Sequence, residues 1–210
     1  MQIKQLLLDE YNKRYGSEIR KYKIGEYHVS SLLGSCLKAT WNHFQMKKLT
    51  KEHIDSTKLI FFKGILFHEM VQKSKAWDGV EVECVKKIKT SHGTATLLGH
   101  ADAVKDDAVF ELKTCAYIPR RPKFDHICQV NAYMHMLGKP RGVIVYAGSD
   151  GEKFDIKEYQ VVQSDWHYQH MINRLMTLHA ILKTAGEPIC SCRNRQHDIE
   201  WLTYKELHKL

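Results

Sequence analysis

Apolar positions recur at helical spacing in five stretches of this chain and alternate with polar ones in several others. "MQIKQLLLDEYNKRYG" reads as an amphipathic helix. "SSLLGSCLKATWNHFQMKKL" (30–49) follows a cap at Ser30 or Ser31, spaces Leu33, Leu37 and Trp41 helically, and carries Cys36. "STKLIFFKGILFHEMVQKSKAW" (56–77) starts at Ser56, and its apolar residues cover most of its surface, which predicts a buried helix. "DHICQVNAYMHMLGKP" (125–140) has Asp125 as cap and a stop at Gly138 with Pro140 beyond. "SDWHYQHMINRLMTLHAILKTAGEP" (164–188) places Met171, Leu175, Leu178 and Leu182 on one face, with Gly186 at its end. Between these lie strand patterns at 80–90, 94–104 and 108–114, and a hairpin over 141–162 turning at Gly148–Gly151. The order predicts an α/β domain: a central mixed sheet flanked by helices.

The stretch "GHADAVKDDAVFELKTC" (99–115) predicts a hairpin with a two-residue turn at Asp106–Asp107. Residues opposed across that turn sum to 213, so Asp102 faces Glu111 and His100 faces Lys113. Directly opposed carboxylates, with Cβ atoms about 5 Å apart, destabilise an ordinary sheet. They become useful around a divalent cation. Mg²⁺ takes one or two carboxylates and leaves its other positions to waters and phosphate oxygens. Such an ion polarises a phosphoryl group and acidifies water, and a neighbouring lysine stabilises developing negative charge. The bland alternative is a pair of solvated acids beside a surface lysine.

Composition narrows the partners. The chain of 210 residues has 32 Lys and Arg against 24 Asp and Glu, a net charge of +8 that favours phosphate-bearing partners such as nucleic acid. No apolar run approaches the ~20 residues of a membrane span, and the N-terminal segment does not read as a signal peptide. The expectation is therefore an intracellular, cytoplasmic protein. In a reducing compartment the six cysteines are not a disulfide framework. Cys84, Cys115 and Cys128 stand alone in apolar surroundings and read as small buried hydrophobes.

"D-x8-E-L-K" at Asp102, Glu111 and Lys113 resembles the motif of the PD-(D/E)xK nuclease superfamily. Three more stretches match its RecB-like branch in order: "KGILFHEMVQ" with His68, "GHADAV" with Asp102, and "QVNAY" with Gln129 and Tyr133. The last two residues share a helix face at i, i+4. The ends extend the likeness. "SSLLGSCLKATW" and "EPICSCRNRQHDIEW" are similar to the cysteine segments of the CRISPR-associated RecB-type exonuclease family, where one N-terminal and three C-terminal cysteines hold an iron–sulfur (4Fe-4S) cluster.

The resemblance implies one nuclease domain over 1–210 with a restriction-endonuclease-like core at about 56–162. Its N- and C-terminal metal-site segments would lie at about 30–49 and 186–201. It implies that His68, Asp102, Glu111 and the Leu112 carbonyl bind Mg²⁺ or Mn²⁺, that Lys113 positions the attacking water, and that Gln129 and Tyr133 orient Lys113 or the substrate. It implies hydrolysis of DNA, single-stranded in the first instance, by exonuclease action, with 5'→3' polarity and additional endonuclease action left open. CRISPR spacer acquisition, viral DNA processing and DNA repair are the pathways open to it, with adaptation or repair proteins as partners. The cysteines depart from the family pattern: Cys190-x-Cys192 is followed by His197 and by no further cysteine. Cys36, Cys190, Cys192 and His197 suit a 4Fe-4S cluster or a zinc ion, or the site has been lost. In "YIPRRPKF", Arg120, Arg121 and Lys123 sit beside aromatics and could grip single-stranded DNA, or form an ordinary basic loop. The functional rivals are a non-catalytic DNA-binding or regulatory protein that kept the fold, and a structural metal-binding partner in a larger complex.

Overall fold

A computed structural model describes residues 3–15, 22–33, 36–45 and 55–192. Among these, the chain runs α1 (Ile3–Tyr15), β1 (Glu26–His28), α2 (Val29–Leu32), α3 (Leu37–Gln45), α4 (Asp55–Gln72), β2 (Gly79–Thr90), β3 (Gly93–Lys105), β4 (Ala108–Tyr117), α5 (Phe124–Leu137), β5 (Arg141–Ser149), β6 (Phe154–Val162) and α6 (Asp165–Lys183). The six strands make one mixed sheet in the order β1-β3-β4-β5-β6, with β2 also on β3. The α/β class with a central mixed sheet and flanking helices is as expected.

Strand β2 pairs antiparallel with β3 from Gly79–Val104 to Thr90–Gly93 and so occupies one edge of β3. The other edge is shared. Near the turn it carries β4 antiparallel through Ala103–Phe110, Val104–Val109 and Lys105–Ala108, which is the register summing to 213. Further along, at Thr96–Leu98, it carries β1 in parallel. Asp106 takes a left-handed φ of 51° in the turn, which an aspartate tolerates. The β3–β4 ladder ends at Ala103–Phe110, and the strands part before Asp102 and Glu111. His100 therefore does not meet Lys113 across a ladder; it is exposed and pairs with Glu83 of β2.

Helix α5 links the parallel strands β4 and β5, whose pairing runs from Ala108–Arg141 to Tyr117–Ser149. It opens at Phe124 with Lys123 as cap residue, so Asp125 lies in its first turn instead of capping it. Gly138 ends it in the left-handed region, φ 65°. The β5–β6 connection falls at 150–153, two residues beyond the expected turn. The long C-terminal helix stops at Lys183, before Gly186.

Two apolar layers sandwich the sheet. On one face Phe67 of α4 packs with Leu112, Val143, Val145 and Ala147. On the other, α5 and α6 bring Cys128, Val130, Met134, Met171, Leu175 and Leu178 against Ala95, Leu97, Val109, Ile144 and Tyr146. Helix α4 is less buried than its composition suggests: Ile60, Phe61, Leu66 and Met70 remain exposed. The helix lies outside the sheet, and α1 packs on it, as in the Tyr11–Phe62 ring contact at 6.2 Å. The expected helix over 30–49 is broken into α2 and α3, and Cys36 falls immediately before α3.

Candidate metal and active site

The parting of β3 from β4 leaves a gap in the sheet, and side chains from both faces meet in it. Where the ladder would continue, the Asp102 side chain takes over: its Oδ2 accepts the Leu112 N–H at 2.6 Å. Alternation along β4 sends Leu112 to the α4 face and Glu111 and Lys113 to the α5 face. His68 comes in from α4, with Nε2 3.0 Å from the Leu112 carbonyl oxygen and Nδ1 3.5 Å from Asp102 Oδ1.

On the α5 side the contacts form a chain. Lys113 Nζ lies 2.6 Å from Glu111 Oε1 and donates to Gln129 Oε1 at 3.1 Å. Gln129 Nε2 in turn donates to the Tyr133 hydroxyl at 3.3 Å. Tyr133 approaches so closely over Gly99 that a Cβ there would sit 2.5 Å from its Cε1. The glycine of "GHADAV" therefore makes room for the tyrosine of "QVNAY".

Both acids are buried, with Asp102 8% and Glu111 1% exposed, which excludes the solvated pair. Burial pushes the Glu111 carboxyl up to about 7; Lys113 pulls it down, and Asp102 adds to the rise. Burial likewise raises Asp102 to about 6, against the Leu112 N–H and Lys113. Burial lowers the His68 pKa, so its imidazole is neutral at pH 7 and able to ligate. Among the described residues, the buried Glu111 Oε2 has no hydrogen-bond partner, a costly state that a cation would relieve.

One residue here carries no sequence signal. Glu81 sits opposite Asp102 on β2, where the β2–β3 pairing skips, with φ 48° in mid-strand. A ligand atom of Glu81 lies within 4.8 Å of ligand atoms of both His68 and Asp102. Gln72 Nε2, one turn beyond His68 on α4, donates to Glu81 Oε1 at 2.7 Å and to the Asp102 carbonyl at 3.0 Å. An imidazole and carboxylates form an oxygen-rich set that fits Mg²⁺ or Mn²⁺.

Of the second expected set, Cys36, Cys190 and Cys192 come together, with sulfurs within 4.8 Å of one another. Cys36 and Cys190 are 3.5 Å apart and not joined as a disulfide. Burial alone would raise the Cys36 thiol, but the N–H groups of Ala39 and Ser191, with side-chain hydrogen bonds from Cys190 and Ser191, bring it down to about 6. The Cys192 thiol is pushed up to about 11, first by burial and then by its two cysteine neighbours. The clustered thiols can hold a thiophilic metal. The C-terminal segment is held to α3 by Trp41 Nε1 donating to the Gly186 carbonyl at 3.1 Å and by the Lys38–Glu187 ion pair. His197 lies outside the described residues. Cys84 and Cys128 are buried and Cys115 half-buried, as expected of packing residues. Arg120, Arg121 and Lys123 are exposed in the segment leading into α5.

No protein-family model matches this chain, and no curated protein matches it. Among solved structures, that of SSO0001 aligns with a TM-score of 0.64 at 21% identity, covering 87% of each chain. The alkaline exonuclease LHK-Exo from Laribacter hongkongensis aligns over 96% of this chain and 100% of its own, at 12% identity and a TM-score of 0.41. Its complex with dAMP aligns over 89% and 96%, again at 12% and 0.41. The likeness to SSO0001 shows a shared fold.

Proposed function

We propose that this chain is a divalent-metal-dependent deoxyribonuclease, one domain throughout, that hydrolyses phosphodiester bonds of single-stranded DNA and works as an exonuclease. The observation that supports it most is the gap in the sheet. There two buried carboxylates, an imidazole and a lysine converge, and one carboxylate oxygen has no hydrogen-bond partner among the described residues. A structural ion pair would need neither the second acid nor the histidine.

Asp102, Glu111, His68 and the Leu112 carbonyl would hold Mg²⁺ or Mn²⁺, with Glu81 beside them. Bound there, the ion supplies charge neutralisation at the phosphate and acidifies water. Lys113 supplies a cation beside the phosphate, and Gln129 holds its ammonium in place. Tyr133 fixes Gln129 in turn, so three residues act as one positioning chain. The cysteine trio would hold a 4Fe-4S cluster, with zinc as the second reading because Cys190-x-Cys192 departs from the cluster spacing. A brown colour in anaerobically purified protein, with absorbance in the blue, distinguishes the first from the second. A role in CRISPR adaptation, viral DNA processing or repair, in the cytoplasm, accords with this chemistry.

The test is cleavage of labelled single-stranded DNA by purified protein with Mg²⁺ or Mn²⁺. Cleavage should stop with chelator and fall to background in Glu111→Ala, while DNA binding is retained. Binding with no metal-dependent cleavage in the wild type would favour the non-catalytic rival.

A further inference from the structure

Beside the basic loop, aromatic rings from two helices meet on the surface. Phe124 opens α5 and is 40% exposed; Trp166, the second residue of α6, is 65% exposed. Their ring centroids lie 5.7 Å apart at 66°. His170, one turn along α6, is near-parallel to Trp166 at 6.2 Å and 23°, and meets Phe124 edge-on at 5.1 Å. His167 supports both from the side, 4.9 Å from Trp166 and 5.7 Å from Phe124. The indole is thus held by three rings while Trp166 stays 65% exposed.

The cations next to it stand on a fixed backbone. The loop from Tyr117 to Phe124 is tied to the sheet three times: the Ile118 N–H donates to the Ser149 carbonyl at 2.7 Å, the Tyr159 hydroxyl to the Pro119 carbonyl, and the Lys123 N–H to the Tyr146 hydroxyl at 3.1 Å. Arg120, Arg121 and Lys123 are exposed on that loop. Asp125 lies in the first turn of α5, and Asp165 lies 3.6 Å from His135.

The platform and the carboxylate site share helix α5, Phe124 facing α6 and Gln129 facing Lys113. Phe124 precedes Gln129 by five residues, about 7.5 Å along the helix axis. His126 lies between them, 2.7 Å from the hydroxyl of Tyr146, whose backbone pairs with Lys113.

We infer that Trp166, Phe124 and His170 form a stacking platform for unpaired bases of single-stranded DNA, whose backbone follows Arg120, Arg121 and Lys123 toward the carboxylate site. The path into that site rests on the nuclease reading; the platform itself does not. Stacking uses the faces of bases, which a duplex hides, so the platform selects single strands without reading sequence.

The test uses the full chain with chelator present, so that nothing is cleaved, and a fluorescein-labelled oligo-dT. Trp166→Ala should weaken oligo-dT binding about ten-fold, the effect of losing one stacked base, while Trp166→Phe keeps most of the affinity. Binding of a duplex of equal length should be unchanged. Oligo-dT should quench wild-type indole fluorescence, and Trp166→Ala should lose that quench. With Mg²⁺, Trp166→Ala should raise KM and leave kcat in place. Equal oligo-dT affinity in Trp166→Ala and wild type overturns the platform, as does an equal loss on duplex and single strand. Tighter binding of oligo-U than of oligo-dT overturns the assignment to DNA. A chain that binds oligo-dT through Trp166 yet cleaves nothing keeps the platform and loses the nuclease reading; cleavage with Trp166-independent binding does the reverse.

Discussion

Glu111 and Asp102 hold their protons to about 7 and about 6 because burial disfavours their charged forms. Both values lie above the ordinary 4.5 and 3.8, so the folded chain binds more protons than the unfolded one across that interval. Stability of the metal-free protein is then fully present at the acid end and is lost as pH rises through 6 to 7. In chelator, the melting temperature at pH 7.5 should be lower than at pH 5.5 by a few degrees, and Mn²⁺ should raise it more at pH 7.5, because ligation needs the deprotonated acids. Equal metal stabilisation at both pH values would count against the carboxylates as ligands. The same logic separates roles for His68 and Glu81. As ligands, His68→Ala and Glu81→Gln should weaken Mn²⁺ binding by calorimetry, about ten-fold or more, at small cost in stability. If His68 only fills space, its loss should lower the melting temperature and leave Mn²⁺ affinity intact.

At the scale of elements, the site exists because two strands stop pairing. The short β3–β4 ladder holds the turn, and the Asp102 carboxylate then substitutes for backbone pairing at Leu112. The opposite wall depends on α5 lying close to β3, which Gly99 permits. Gly99→Ala should push Tyr133 away and slacken Gln129 and Lys113 behind it. The expected cost is about 1–3 kcal/mol of stability, the usual range for overpacking, with a fall in kcat among the folded molecules. Thermal melts and single-turnover cleavage on one sample check both, and unchanged turnover would show that Tyr133 does not position the lysine.

Across the whole molecule, the cysteine trio joins positions 154 residues apart, Cys36 and Cys190. A metal there would close a long loop and contribute directly to folding free energy. Cys36→Ser and Cys192→Ser should each remove the metal and lower stability similarly, and the double variant should be little worse, because the ligands act as a unit. Cys84→Ser, Cys115→Ser and Cys128→Ser should keep full metal content and show at most a packing penalty. Elemental analysis for iron and zinc across these variants reads out ligand set and metal identity together. Full metal in both Cys36→Ser and Cys192→Ser would show that the ends are not joined by a metal.

The sequence by itself determined what local chemistry enforces. The two-residue turn and the alternation around it fix the 213 register, and i, i+4 spacing puts Gln129 and Tyr133 on one helix face. The α/β class follows from the order of periodicities. Tertiary structure alone decided where strands part and which distant residues meet. Nothing in "GVEVEC" marks Glu81, because its place opposite Asp102 depends on a backbone irregularity in β2. The parallel strand β1 has three residues, too short for an alternation signal, and its partner lies some 70 positions on. The helix predicted through Cys36 is two helices, α2 and α3, and that cysteine meets Cys190, 154 positions on. Phe124 and Trp166, 42 positions apart, meet only because α5 and α6 pack side by side on the sheet. Short-range order is written in spacing, whereas long-range contacts depend on how whole elements dock, which no single segment encodes.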